Sequence, residues 1–157
     1  MLHNSEKGQT LIEILIAMSA AVIVLSAITL TVISALSNAQ YSKNQNLATQ
    51  YAQEGMEVVR KIRDNDWNAF AGFSGKYCLS KGSFNLGNSV AVCSQNVDLF
   101  VREININPNS ADCNSGTQTQ VAVSVKWSDG KCPSTNIYCH EASLVSCFTD
   151  ANLVPTP

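Results

Sequence analysis

Hydrophobic and polar positions fall into three regimes along the chain. Residues 11–36 are apolar on every side and carry one charge, Glu13. As a helix, a run of about 26 residues would be roughly 39 Å long, more than the ~30 Å hydrocarbon core of a bilayer requires. Without an amphipathic stripe, such a segment belongs in lipid or buried among other helices. Further on, in "LATQYAQEGMEVVRKIRDNDW", Leu47, Tyr51, Val58, Val59 and Ile62 recur at helical spacing, while Gln50, Glu54, Glu57, Arg60 and Lys61 lie mostly elsewhere. The pattern predicts one helix over 9–66, apolar first and amphipathic afterwards. Glu57 and Lys61 stand four apart in the favourable order. "RDND" then supplies turn formers. Gly55 interrupts the helix at a cost of ~1 kcal/mol relative to Ala; either it admits a close neighbour or it is simply tolerated.

From Trp67 onward the period changes. The glycine-bearing stretch "FAGFSGKY" reads as a loop. Short strands are predicted at 90–94 and 97–107, the second ended by Pro108. The stretch 120–128 alternates most cleanly, with Val121, Val123, Val125 and Trp127 on one face and Ala122, Ser124 and Lys126 on the other. "SDG" signals a turn, and 136–148 returns as the hairpin partner. So few antiparallel strands cannot cover themselves. The helix face bearing Leu47, Tyr51, Val59 and Ile62 is the predicted lid. The fold class is α+β: a long N-terminal helix, its second half packed on a small antiparallel sheet.

Composition changes this picture in two places. Ten Lys+Arg against twelve Asp+Glu give a net charge of -2, so nucleic acid is not expected as the main partner. All six cysteines (Cys78, Cys93, Cys113, Cys132, Cys139 and Cys147) follow the apolar run. That placement fits an oxidising compartment and disulfides. Zinc is the competing reading, disfavoured because the tightest spacing, Cys132 to Cys139, is wider than the close pairs of structural zinc sites. Local bridges Cys132–Cys139 and Cys78–Cys93 are expected, the connectivity as a whole being open. Lys7, the basic residue before the apolar run, places the N-terminus on the cytoplasmic side.

Candidate chemistry adds little. His140 and Glu141 follow Cys139, but a strand sends them to opposite faces, and the other histidine, His3, lies before the apolar run. No catalytic residue, metal site or cofactor is expected. Arg60, Lys61 and Arg63 sit where a helix C-terminus favours cations. Trp67 and Trp127 read as core or boundary aromatics.

Three readings compete for the N-terminus. A stationary membrane anchor explains the length but gives Glu13 no role, since a carboxylate at mid-bilayer costs ~2.5–3.5 kcal/mol. A secretory signal peptide cut after "SNA", near residue 39, would release a disulfide-rich binding module, but the apolar run is too long and holds a charge. The third reading is a resemblance. A short polar leader ending in Lys7-Gly8, then Gln9-Thr10-Leu11-Ile12-Glu13, then a long apolar helix, resembles the class III signal of type IV pilins and type II secretion pseudopilins. Gln9 stands where that family commonly has Phe. "LATQYAQEGMEVVRKIR" and "VAVSVKWSDG" are similar to stretches of minor pilins and of the I-type pseudopilin.

The resemblance implies a leader over 1–8, cut after Gly8 by a prepilin peptidase, and a new N-terminus at Gln9 that is then methylated. It implies an apolar filament-core helix over 9–36, an amphipathic half over 37–66 and an exported sheet domain over 67–157. Glu13 would pair with the N-terminal ammonium of an adjacent subunit. Implied partners are other pilin subunits, the inner-membrane assembly machinery, and membrane lipid before assembly. The implied location is the bacterial cytoplasmic membrane, crossed once with the N-terminus inside, and then a periplasmic or extracellular filament.

Overall fold

The structure, a computed structural model, describes residues 6–113 and 118–150, with side chains from Thr10 onward. Residues 1–5 of the expected leader, His3 among them, lie outside the described residues. Contacts divide the chain into two units, Met1–Ser42 and Lys43–Pro157. Helix α1, Glu6–Asn65, runs through both.

In the first unit every described side chain is exposed apart from the half-buried Ser37. The helix is long and apolar enough to cross a membrane. Its hydroxyls are turned back on their own backbone: Ser19 donates to the Ile16 carbonyl, Ser26 to Val22, Thr29 to Leu25 and Thr31 to Ile28. These four hydroxyls are thereby satisfied within the segment, as a hydrocarbon environment demands.

In the second unit the amphipathic part of α1 lies on a four-stranded antiparallel sheet of order β1-β2-β3-β4. The strands are β1 Gly75–Cys78, β2 Val101–Asn107, β3 Thr119–Trp127 and β4 His140–Phe148. The alternation of β3 is realised in full, with Val121, Val123 and Val125 completely buried and Trp127 1% exposed. They pack in one core with Ala48, Tyr51, Ala52, Met56 and Val59 of the helix, while Leu47 and Ile62 flank it half-buried. Gly55 is a contact point. A Cβ there would stand 2.9 Å from Val123 Cγ1 and 3.3 Å from Arg102 Cδ, so the bare backbone is what lets helix and sheet approach this closely.

Several expected elements differ. After α1 the chain forms a one-turn helix α2, Trp67–Ala71, N-capped by Asp66, whose carboxylate accepts from the Ala69 amide at 3.0 Å. It buries Phe70 against Phe148. The presumed loop "FAGFSGKY" runs into β1, whose first three residues are its last three, and which pairs with β2 from Gly75↔Ile106 to Cys78↔Glu103. The strand expected at 90–94 is absent, because Cys93 is bonded to Cys78 and Val92 is left 79% exposed. Only the Val90 amide reaches the sheet there, donating to the Lys76 carbonyl at 2.8 Å.

The strand expected from 97 begins at Val101. Before it, Val97 and Phe100 bridge around Asp98, whose φ of 51° makes a tight turn. That residue's carboxylate accepts from the Tyr51 hydroxyl at 2.7 Å and from Lys81 at 2.8 Å. Likewise β4 starts at His140, not at 136, because the preceding residues form the loop closed by Cys132–Cys139.

Candidate functional site

The residues assigned to processing and assembly all lie in the first turns of α1. Gly8 and Gln9 are helical in backbone, and position 13 lies one turn beyond position 9, on the same helix face. The Glu13 side chain is exposed, amid Leu11, Ile12, Ile14, Leu15 and Ile16, which are 56–63% exposed. No other carboxylate lies between residues 11 and 36. A carboxylate set in such a surface is stable in hydrocarbon only beside an opposite charge. "SNA", the alternative cleavage point, lies inside α1 without a helical break.

The six cysteines form three bridges: Cys78–Cys93, Cys113–Cys147 and Cys132–Cys139. The first joins the end of β1 to the loop 79–100. The second ties the segment after β2 to β4, and the third closes the loop between β3 and β4. Each bridge thus pins one of the three connections between consecutive strands.

Two charged constellations escaped the sequence reading. Arg102, only 2% exposed, sits between helix and sheet. Its Nη1 donates to the Tyr51 carbonyl of α1 at 3.0 Å, its Nε to the Leu79 carbonyl at 3.0 Å and its Nη2 to the Ser80 carbonyl at 3.0 Å, and Glu54 lies 3.3 Å from Nη1. Burial lowers its proton affinity and Glu54 partly restores it. On the opposite face Glu103 is held by Lys126 at 2.6 Å and Lys76 at 3.5 Å. Burial pushes the Glu103 carboxyl up, but the hydrogen bond and charge of Lys126, with Lys76, outweigh it and set it below the usual carboxylate value.

The basic cluster at the end of α1 is engaged internally. Arg60 pairs with Glu57, Arg63 with Asp64 at 2.6 Å and with the Phe148 ring at 5.0 Å, and Lys61 lies over the Phe84 ring at 5.6 Å. Glu57 therefore takes the partner three residues on instead of Lys61. Trp127 is core, and the half-buried Trp67 packs against Phe70. A hollow of about 650 Å³ opens between α1 and the loop after β1, with Glu54 and Glu57 set against Lys61 and Lys81. These opposed charges are spread over an open wall, with no nucleophile and base set against each other.

His140 is stacked on Trp127 with centroids 5.4 Å apart, and its Nε2 lies 2.9 Å from Asp129 Oδ2. Asp129 and His140 flank the Cys132–Cys139 bridge, a gathering of ligand types that spacing alone did not reveal.

A bilayer-length apolar helix with one carboxylate near its start, continuing into a disulfide-stapled unit of helix on antiparallel sheet, defines a pilin-like α+β protein. Residues 3–36 match the family model described as the prokaryotic N-terminal methylation motif. The match covers 34 of the 157 residues and supports a type IV pilin-like or pseudopilin subunit. Pilins that carry this motif are structural subunits that assemble with other pilin subunits after processing by a prepilin peptidase, and the long apolar helix of this chain fits a membrane-anchored pilin. No curated protein and no solved structure matches the chain.

Proposed function

We propose that the chain is a minor subunit of a type IV pilus or a type II secretion-like pseudopilus, built into the filament through its N-terminal helix. The observation that supports this reading is Glu13, the single charge in an exposed apolar helix immediately downstream of the methylation-motif glycine. Its carboxylate needs a cationic partner once water is removed, and an adjacent subunit's N-terminal ammonium, freed by cleavage of that subunit's own leader, supplies one. Losing either charge strands the other in an apolar bundle. In this reading residues 1–8 are the leader, 9–36 the anchor and then the filament core, 37–66 the amphipathic half and 67–157 the exported domain. The chain crosses the cytoplasmic membrane once, with its N-terminus inside, until the inner-membrane machinery extracts it.

Mass spectrometry of the N-terminal peptide, from membrane and shed-filament fractions, tests the processing step. A peptide beginning at Gln9, methylated, cyclised or free, is expected. A peptide beginning near Gln40 would mean a cleaved signal and remove the proposed role of Glu13. Glu13→Ala should leave membrane insertion intact and reduce filament incorporation severalfold, comparable to ~1–2 kcal/mol of lost pairing. Unchanged incorporation would sink the assignment.

A further inference from the structure

The loop between β3 and β4 carries more chemistry than its disulfide uses. One ligand atom from each of Asp129, Cys132, Cys139 and His140 lies within 4.8 Å of all the others. Besides the His140–Asp129 contact, Cys132 Sγ stands 3.5 Å from Asp129 Oδ1 and accepts from the Asp129 amide at 3.4 Å. Two sulfurs, an imidazole nitrogen and a carboxylate oxygen match tetrahedral zinc in number and kind. With Zn–S near 2.3 Å and Zn–N or Zn–O near 2.0–2.2 Å, such ligand atoms stand roughly 3.3–3.8 Å apart. Gathering within 4.8 Å already brings the four ligand atoms near that spacing, and opening the Cys132–Cys139 bond lets the two sulfurs move apart to reach it. All four residues are half-buried, so an ion has access and the ligands have support.

Much of the cradle does not depend on the sulfur–sulfur bond. Ladder pairing of Trp127 with His140 fixes the root of the imidazole, and stacking on Trp127 fixes its plane. Asp129 is held by the Lys131 amide, which donates to Oδ1 at 2.9 Å. The cysteines are seven residues apart with Cα atoms 5.5 Å apart, so opening the bridge leaves two thiols in the same short loop, facing the same two partners.

We propose that Asp129, Cys132, Cys139 and His140 form a zinc site in the reduced chain, so that the hairpin has two mutually exclusive staples, a disulfide and a metal ion. A dithiol reductant passes two electrons and two protons to the bridge and itself becomes a disulfide. Zinc then displaces the two thiol protons to solvent and holds both thiolates. Oxidation by a disulfide reagent reverses the order: the two thiolates pass two electrons to that reagent, which is reduced to a dithiol with protons from solvent, the Cys132–Cys139 bond forms and the ion leaves. The site concerns the globular unit alone and stands whether or not the subunit reading holds.

The test uses the full chain in detergent micelles, reduced with a water-soluble phosphine, which becomes its oxide and does not compete strongly for the ion. The chain is alkylated for timed intervals with or without zinc sulfate, and each cysteine-containing peptide is quantified by mass spectrometry. Zinc should slow alkylation of Cys132 and Cys139 by about tenfold or more, since a metal-held thiolate is withdrawn from reaction, and leave Cys78, Cys93, Cys113 and Cys147 unchanged. His140→Gln and Asp129→Asn should each lose most of that protection while still forming the Cys132–Cys139 bridge when oxidised. Cobalt in place of zinc should give thiolate charge-transfer absorption, lost in Cys132→Ser. Equal rates with and without zinc, protection spread over all six cysteines, or protection undiminished in both ligand variants would overturn the proposal. A reduced chain that unfolds gives equal rates and counts among those failures.

Discussion

At Gly55 the missing side chain is a packing device: the nearest obstacle to a Cβ is a methyl of Val123, whose β-branched side chain has little freedom to swing away. Gly55→Ala would gain ~1 kcal/mol of helix propensity, but overpacking costs typically ~1–3 kcal/mol, so a net loss of about 1 kcal/mol is expected. Thermal denaturation of the full chain in detergent checks the sign, and a raised midpoint would show that Val123 yields more easily than argued. Glu103 gives a prediction in pH. Its folded-state pKa is depressed, so the stability it contributes is fully present above its unfolded value, ~4.3, and is lost as pH falls through the folded value. Glu103→Gln should therefore be less stable than the parent at neutral pH and converge with it in acid, which denaturant midpoints across that range would reveal. The buried face of β3 was legible in sequence because strict alternation has a single physical cause. Arg102 and Glu103 were not, because adjacent opposite charges in a strand look solvated until the fold brings three carbonyls to one and two lysines to the other.

Among the elements, the disulfides rank themselves by the loops they close. Sequence separations of 34 for Cys113–Cys147, 15 for Cys78–Cys93 and 7 for Cys132–Cys139 differ enough to order their effects. Chain-entropy reasoning assigns them about 4, 3 and 2 kcal/mol respectively. Paired Cys→Ser variants should lower the unfolding free energy in that order, with Cys113/Cys147 the most damaging; the reverse order would mean that local strain or residual structure dominates. The helix and the two long strands were readable because their periods persist over many residues. β1 was not, since four residues with a glycine at their start carry no period, and its strand character comes from lying beside β2. The stretch at 90–94 erred in the opposite direction: its apolar alternation is genuine, but Cys93 is bonded to Cys78 and the segment never joins the ladder.

For the whole molecule, the buried core begins at Ala48 among the described residues, so the globular unit draws its core from residues of its own. A chain beginning at Lys43 should fold without detergent, form all three bridges, and melt within a few degrees of the full chain in micelles. Circular dichroism and a count of free thiols would test this, and a truncated chain without cooperative melting would show that the first unit is needed for folding. The organisation into an apolar helix and a stapled globular part was visible in the sequence because hydropathy changes abruptly between them; the charged fastening inside the globular part was not. That fastening has a mechanical meaning. A tug along the amphipathic stretch of α1 arrives at Arg102, whose planar fork grips the helix at Tyr51 and the polypeptide at Leu79 and Ser80 together. Bonds placed side by side share a load and must rupture jointly, whereas bonds in a row peel one after another. In the proposed filament, tension along α1 would pass through Arg102 into β2 and into the carbonyls of Leu79 and Ser80 together.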